Sequence, residues 1–186
     1  TLNSPEDRKA NKKFSVLFVG GSQGAKIFNE TLPKYVKAFG LEGFHFTHQT
    51  GLKNYESVVK NYSKDPNLEV LAYLDPIVDY YLKADLIVSR SGAGAVNEFS
   101  LLSKASVLVP FPKASDDHQL KNAEALVSKK SALMIKESDF TPERLHEVLL
   151  KLKSQPELIK ELESNVSKSL KRGARQEIAA HLLKHL

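Results

Sequence analysis

Two loops of small residues carry the side chains whose types and spacing suggest chemistry. The first reads Gly20-Gly21-Ser22-Gln23-Gly24-Ala25 and lies between an apolar run and an amphipathic one. Glycines there let the main chain turn tightly and approach a ligand closely, while Ser22 and Gln23 offer polar side chains at a helix N-terminus. The loop matches neither common nucleotide motif. Gly-x-Gly-x-x-Gly fails at Ser22, and no Gly-Lys-Ser/Thr follows as a Walker loop requires. On spacing alone, a plain strand-to-helix turn explains it as well.

The second loop reads Ser89-Arg90-Ser91-Gly92-Ala93-Gly94-Ala95-Val96-Asn97-Glu98. Small residues at a helix start leave main-chain N–H groups unpaired, and the helix dipole adds roughly half a positive charge. An anion such as a diphosphate would be held there without a lysine. Glu98 follows one turn later with its side chain leaning toward the N-terminus, where its carboxylate would accept two vicinal hydroxyls such as a ribose diol. A neutral diol between carboxylate and phosphates avoids their mutual repulsion. Ordinary charge complementarity at a helix start accounts for Glu98 equally well.

A third group is Asp116-Asp117-His118-Gln119-Leu120-Lys121-Asn122. Gln119 and Asn122, three apart at a helix start, face the same way and suit the neutral, directional recognition of sugar hydroxyls and an acetamido group. Asp116 and Asp117 point apart on a helix, so one of them is expected to cap it and no metal is expected. His118 is either a ligand contact or a solvated first-turn residue. Tyr73 and Leu74 close another strand and would either present main-chain groups to a base edge or belong to the core. Neither a Gly-x-Ser-x-Gly elbow nor a carboxylate pair placed for glycoside hydrolysis is present, so no complete catalytic set is expected.

Elements must exist to hold these loops. Apolar runs at Phe14–Val19, Phe44–His48, Leu68–Ala72, Asp85–Ser89, Ser106–Val109 and Ala132–Ile135 read as six buried strands. Between them, Phe28, Leu32, Val36 and Phe39 mark one face of a helix over Ile27–Phe39, and Ala95, Val96, Phe99 and Leu102 mark another over Ala93–Leu102. Alternation of strand and crossover helix specifies an α/β, doubly wound parallel sheet. Such sheets bind ligands beyond the carboxyl ends of their strands, which is where all three groups fall. Helices follow over Thr141–Lys153, Gln155–Leu170 and Ala174–Leu186, with Thr141 a cap and Pro142 in a first turn. Residues 1–13 read as a linker or lead-in and 14–186 as one domain.

Composition narrows the classes further. The 186 residues contain no Cys, which closes disulfide scaffolds, zinc ribbons, iron–sulfur ligation and thiol nucleophiles, and fits a reducing compartment. A net charge of +5 with scattered lysines does not indicate a nucleic-acid surface. No apolar run approaches the ~20 residues of a membrane span, and the opening residues lack a secretory h-region, so a soluble, unexported chain is expected.

The ordered set Gly20–Ala25, His48-Gln49-Thr50-Gly51, Tyr73-Leu74-Asp75, Arg90-Ser91-Gly92-Ala93 with Glu98, Pro110-Phe111 and His118-Gln119 with Asn122-Ala123 closely resembles the C-terminal half of the MurG family. The resemblance runs from about Phe14 to the C-terminus. It implies a Rossmann-like domain that is the C-terminal half of a two-domain GT-B glycosyltransferase. The family transfers N-acetylglucosamine, with inversion, from UDP-N-acetylglucosamine to lipid I, forming lipid II in peptidoglycan synthesis, and so bears on cell shape and division.

By the resemblance, Gly21, Ser22 and Gln23 form a loop at the nucleotide sugar, with Ser22 reaching it. Leu74 contacts the uracil through its main chain, with Tyr73 beside it in the binding set, and Ala93, Gly94 and Ala95 present amides to the diphosphate. Glu98 takes the ribose diol, and Gln119 and Asn122 hold the sugar with His118 beside them. No cofactor, metal or catalytic residue is implied in this half. The partner would be an N-terminal acceptor domain, absent from this chain, that engages lipid I at the inner face of the cell membrane, the whole enzyme being cytoplasmic and peripheral. This chain alone is expected to be inactive.

Departures are Ala95, where a hydroxyl residue is usual, and Lys104-Ala105 in place of a proline turn. Two other readings are a soluble subunit of a split UDP-N-acetylglucosamine transferase acting on another lipid-linked sugar, and a noncatalytic nucleotide-sugar module.

Overall fold

The computed structural model describes residues 13–112 and 117–169. Six strands, β1 (Phe14–Val19), β2 (Phe44–Gln49), β3 (Leu68–Leu71), β4 (Leu86–Ser89), β5 (Ser106–Leu108) and β6 (Leu133–Met134), form one sheet in the order β3-β2-β1-β4-β5-β6. Every neighbouring pair is parallel. The α/β doubly wound expectation holds, with each strand within two residues of its expected bounds at either end.

Five helices connect successive strands, α1 (Lys26–Phe39), α2 (Tyr55–Val59), α3 (Ile77–Lys83), α4 (Ala93–Leu101) and α5 (His118–Val127), and two more, α6 (Pro142–Ser154) and α7 (Pro156–Ser169), follow β6. Residues on β1 alternate between the two faces, as a pleated strand buried on both sides requires. Val16 and Phe18 join a core with Phe28, Leu32 and Tyr35 of α1 and Leu145 and Leu149 of α6. Leu17 and Val19 join a second core with Tyr81 of α3, Phe99 of α4 and Ala123 of α5. Both layers pin the sheet, so the loops at its carboxyl edge leave a rigid base.

Several expectations need amendment. On α1, Phe39 is 37% exposed and stacks on His146, with ring centroids 4.1 Å apart, while Tyr35 fills the core instead. Phe39 is the last residue of the helix, where it meets α6 through His146. Helices α2 and α3 are additional to the helices the sequence predicts, being too short to show a clear 3.6-residue period. The expected aspartate cap is not made by Asp117, which occupies the N-cap of α5 in the left-handed region (φ 55°) without a side-chain cap bond, whereas Asp116 lies outside the described residues. Thr141 does cap α6, accepting from the Arg144 N–H at 3.2 Å ahead of Pro142. The lead-in, apart from Lys13, and the helix over Ala174–Leu186 also lie outside the described residues. No helix among the described residues is long and apolar enough to cross a membrane.

His48 on β2 is fully buried, facing the same side as its register partner Phe18. Its Nδ1 lies 2.9 Å from the Tyr62 hydroxyl, and its Nε2 has no partner. Burial disfavours the imidazolium and lowers the pKa from 6.5 to about 3. Between those values the unfolded chain binds a proton that the folded chain refuses, so this contribution is complete above pH 6.5 and is lost as pH falls toward 3. The expected slope is up to about 1.4 kcal/mol per pH unit. Urea unfolding of wild type and His48→Phe below pH 6.5 checks this, the variant losing stability less steeply.

Candidate functional site

The strand order places β1 beside β4, although the chain leaves their carboxyl ends toward opposite sides of the sheet. A crevice must open at such a switch point. Its walls are set by close main-chain contacts. Gly24 has φ +72°, and a Cβ there would sit 1.9 Å from the Thr50 carbonyl oxygen. Gly51, with φ +85°, would meet the Gln23 carbonyl oxygen at 2.1 Å. Only glycine lets the loops after β1 and β2 lie back to back in this way.

Side-chain amides fasten these loops to one another. Gln49, at the end of β2, accepts from the Gly20 N–H at 3.1 Å and donates to the Ala72 carbonyl at 3.5 Å, tying together the ends of β1, β2 and β3. Asn29 donates to the Thr50 carbonyl at 3.1 Å, and Asn54 donates to the Gln23 carbonyl at 3.1 Å. The polypeptide edge is thereby fixed before any ligand arrives.

Two clefts result, and the loop after β1 lines both. The first, of about 250 Å³, brings together Gly21, Ser22, Tyr73, Leu74, Ala95 and Glu98 from three separate segments. Leu74 is buried in its floor, as the core reading required, whereas Tyr73 is 55% exposed at its mouth. Glu98 Oε2 accepts from the Tyr81 hydroxyl at 3.1 Å. Helix α4 opens at Gly92 with no side-chain cap and no acidic residue in its first turn. The amides of Ala93, Gly94 and Ala95 therefore face outward with the dipole uncancelled.

The second cleft, of about 680 Å³, is lined by Gln23 and Gln119 together with Arg90 and Phe111. Arg90 is its brace. The guanidinium pairs with Glu137, donates to the Val109 and Pro110 carbonyls at 3.1 and 3.3 Å, and lies between the Phe28 and Phe111 rings. Its charge is spent on holding the β5–α5 connection.

Main-chain partners orient both amides of α5. Gln119 Oε1 accepts from the Phe111 N–H at 3.0 Å, which turns its NH₂ outward. Asn122 Nδ2 donates to the Ser91 carbonyl at 3.0 Å, which leaves Oδ1 as the side available to a ligand. Ser91 in turn donates to the Gln119 carbonyl at 2.7 Å, so the α4 and α5 starts are locked together. Asn122 thus has a structural bond beyond its expected recognition role. His118 is exposed as the first residue of α5 and lines neither cleft.

Three residues that organise the site had no assigned role: Tyr81, Gln49 and Arg90. Gln49 and Arg90 stand inside motifs already singled out. Tyr81 had only an i,i+4 relation to Ile77 as a signal, on an unforeseen helix. Among the described residues, no three His, Asp or Glu side chains gather as metal ligands.

The model of the glycosyltransferase family 28 C-terminal domain matches residues 15–178. A Myxococcus xanthus protein named UDP-N-acetylglucosamine–N-acetylmuramyl-(pentapeptide) pyrophosphoryl-undecaprenol N-acetylglucosamine transferase is 43% identical over 157 residues, covering 83% of this chain and 41% of that protein. A Geobacter protein of the same name is 37% identical over 179 residues, covering 95% of this chain and 48% of its own. Among solved structures, MurG of Acinetobacter baumannii superposes with a TM-score of 0.77 at 34% identity, covering 93% of this chain and 50% of that one. The chain thus spans about half the length, or less, of these relatives. With this strand order, this switch-point cleft and these matches, the chain belongs to the glycosyltransferase family 28 C-terminal domain family, as a C-terminal domain of MurG type.

Proposed function

We propose that this chain is the donor-binding half of an inverting transferase that moves N-acetylglucosamine from UDP-N-acetylglucosamine to a lipid-linked muramyl acceptor, forming lipid II from lipid I. The observation that carries the reading is the convergence, in one switch-point cleft, of Ala95 from the uncapped first turn of α4 and the Glu98 carboxylate one turn further on. The diphosphate lies on the amides of Ala93, Gly94 and Ala95. Glu98 accepts the ribose hydroxyls, and the uracil rests by Leu74 with Tyr73 at the rim. Gly21, Ser22 and Gln23 close over the sugar-phosphate side.

In the transfer, the bond between the sugar C1 and the diphosphate oxygen breaks as the acceptor hydroxyl oxygen bonds C1 from the opposite face. The acceptor proton passes to a base on the acceptor domain. Negative charge grows on the departing UDP, and oriented main-chain dipoles at the start of α4 stabilise it most at that moment. Ala95 supplies an amide but no hydroxyl, so the main chain bears this role at that position.

The second cleft receives the sugar. Gln119 offers a donor and Asn122 an acceptor, a pair that reads hydroxyls able to do both and an acetamido group with one of each. His118 precedes Gln119 in the chain, outside the lining of the cleft. The acceptor domain completes the cleft, and the lipid-linked acceptor brings the whole protein to the cytoplasmic face of the membrane. The names borne by the relatives support this reading.

Calorimetric titration with UDP-N-acetylglucosamine tests it. Glu98→Ala is expected to weaken binding by about tenfold or more, as loss of a charged hydrogen-bond acceptor implies. Equal affinities would remove Glu98 from the ribose role. Gln119→Glu keeps the acceptor for the Phe111 N–H but deletes the donor facing the sugar. The ratio of UDP affinity to UDP-N-acetylglucosamine affinity should shift against the sugar nucleotide by about tenfold. A constant ratio means that Gln119 does not touch the sugar.

A further inference from the structure

Glu98 is exposed on α4, and a solvated glutamate with several rotatable bonds does not hold one direction unaided. Tyr81 supplies the constraint. Its side chain is 1% exposed, and its ring packs edge-on against Phe99, with centroids 6.3 Å apart, within the second core. A ring locked there can aim its hydroxyl in few directions, and that hydroxyl donates to Glu98 Oε2 at 3.1 Å.

We infer that Tyr81 is a positioning residue that aims the Glu98 carboxylate at the ribose and so sets the preference for a ribonucleotide over its 2′-deoxy counterpart, an inference that rests on the donor-site reading above. A carboxylate has about four acceptor positions, so the bond from Tyr81 occupies one and leaves both lone pairs of Oε1, and one of Oε2, for a vicinal diol. Burial, together with the adjacent Glu98 charge and hydrogen bond, raises the Tyr81 pKa well above its ordinary value of 10.0, so the phenol remains a donor at neutral pH. Prearranging the acceptor lowers the cost of ordering it when the nucleotide binds, and that gain is available only to a ligand carrying the diol.

The test is titration of the 186-residue chain with UDP and with 2′-deoxy-UDP, in wild type, Tyr81→Phe and Glu98→Ala. Tyr81→Phe keeps the packed ring and removes only the hydroxyl. It is expected to lower the UDP to 2′-deoxy-UDP affinity ratio by about three- to tenfold, chiefly by weakening UDP. The ratio is insensitive to the fraction of protein folded, because both ligands meet the same preparation. A wild-type ratio in Tyr81→Phe alongside a flattened ratio in Glu98→Ala overturns the positioning role and leaves the donor reading intact. Equal weakening of both nucleotides by Tyr81→Phe also overturns it, since a merely structural residue would act that way. A full ratio retained by Glu98→Ala overturns the ribose reading itself, and the role of Tyr81 with it.

Discussion

Everything in this domain depends on one constraint: six parallel strands must end on the same edge, and the two central ones must send their chains apart. The gap between those departures cannot be closed by the sheet's own hydrogen bonds, because the ladder stops where the strands stop. Helix starts fill part of the space, and they arrive with their positive ends toward it. A polar, anion-accepting crevice is therefore a consequence of topology. What distinguishes this chain is how its loops furnish that crevice.

The furnishing is mostly done by uncharged groups bonded to main chain. Gln49 spans three strand ends, Asn54 and Asn29 hold the loop after β2, and Ser91, Gln119 and Asn122 interlock two helix starts. Each such bond has two effects. It satisfies a main-chain group that burial would otherwise leave costly, and it decides which end of an amide faces the ligand. A charged residue on this edge, Arg90, is turned to the same purpose through Glu137, two carbonyls and two aromatic rings. On the described residues, then, the proposed diphosphate seat is a matter of dipoles, with the nearest arginine engaged elsewhere.

Most of the architecture was legible in the residues. The six apolar runs carry an unbroken β pattern because both faces of the sheet are covered, and the glycine loops are conspicuous because close main-chain approach tolerates no side chain. Expectation failed where a local pattern was too short or an end effect intervened. Helix α3 has only seven residues, too few for a period that would single out Tyr81, and Phe39, at the end of α1, is 37% exposed despite its place on the apolar face of that helix. At Asp117 a residue type suited to capping stands in a left-handed conformation that directs its side chain away from the task.

The order of elements, the buried periodicity and the identity of the loop residues follow from the amino-acid sequence alone, since they arise from patterns within a few turns of chain. The pairing of Tyr81 with Glu98, the separation of Gln23 and Gln119 from Ser22 and Glu98 into different clefts, and the outward faces of Gln119 and Asn122 were decided only by the tertiary structure. Each depends on groups that the sheet order brings within hydrogen-bonding distance from separate segments, and no local periodicity encodes which atom of an amide or carboxylate a distant main-chain or phenolic group will claim.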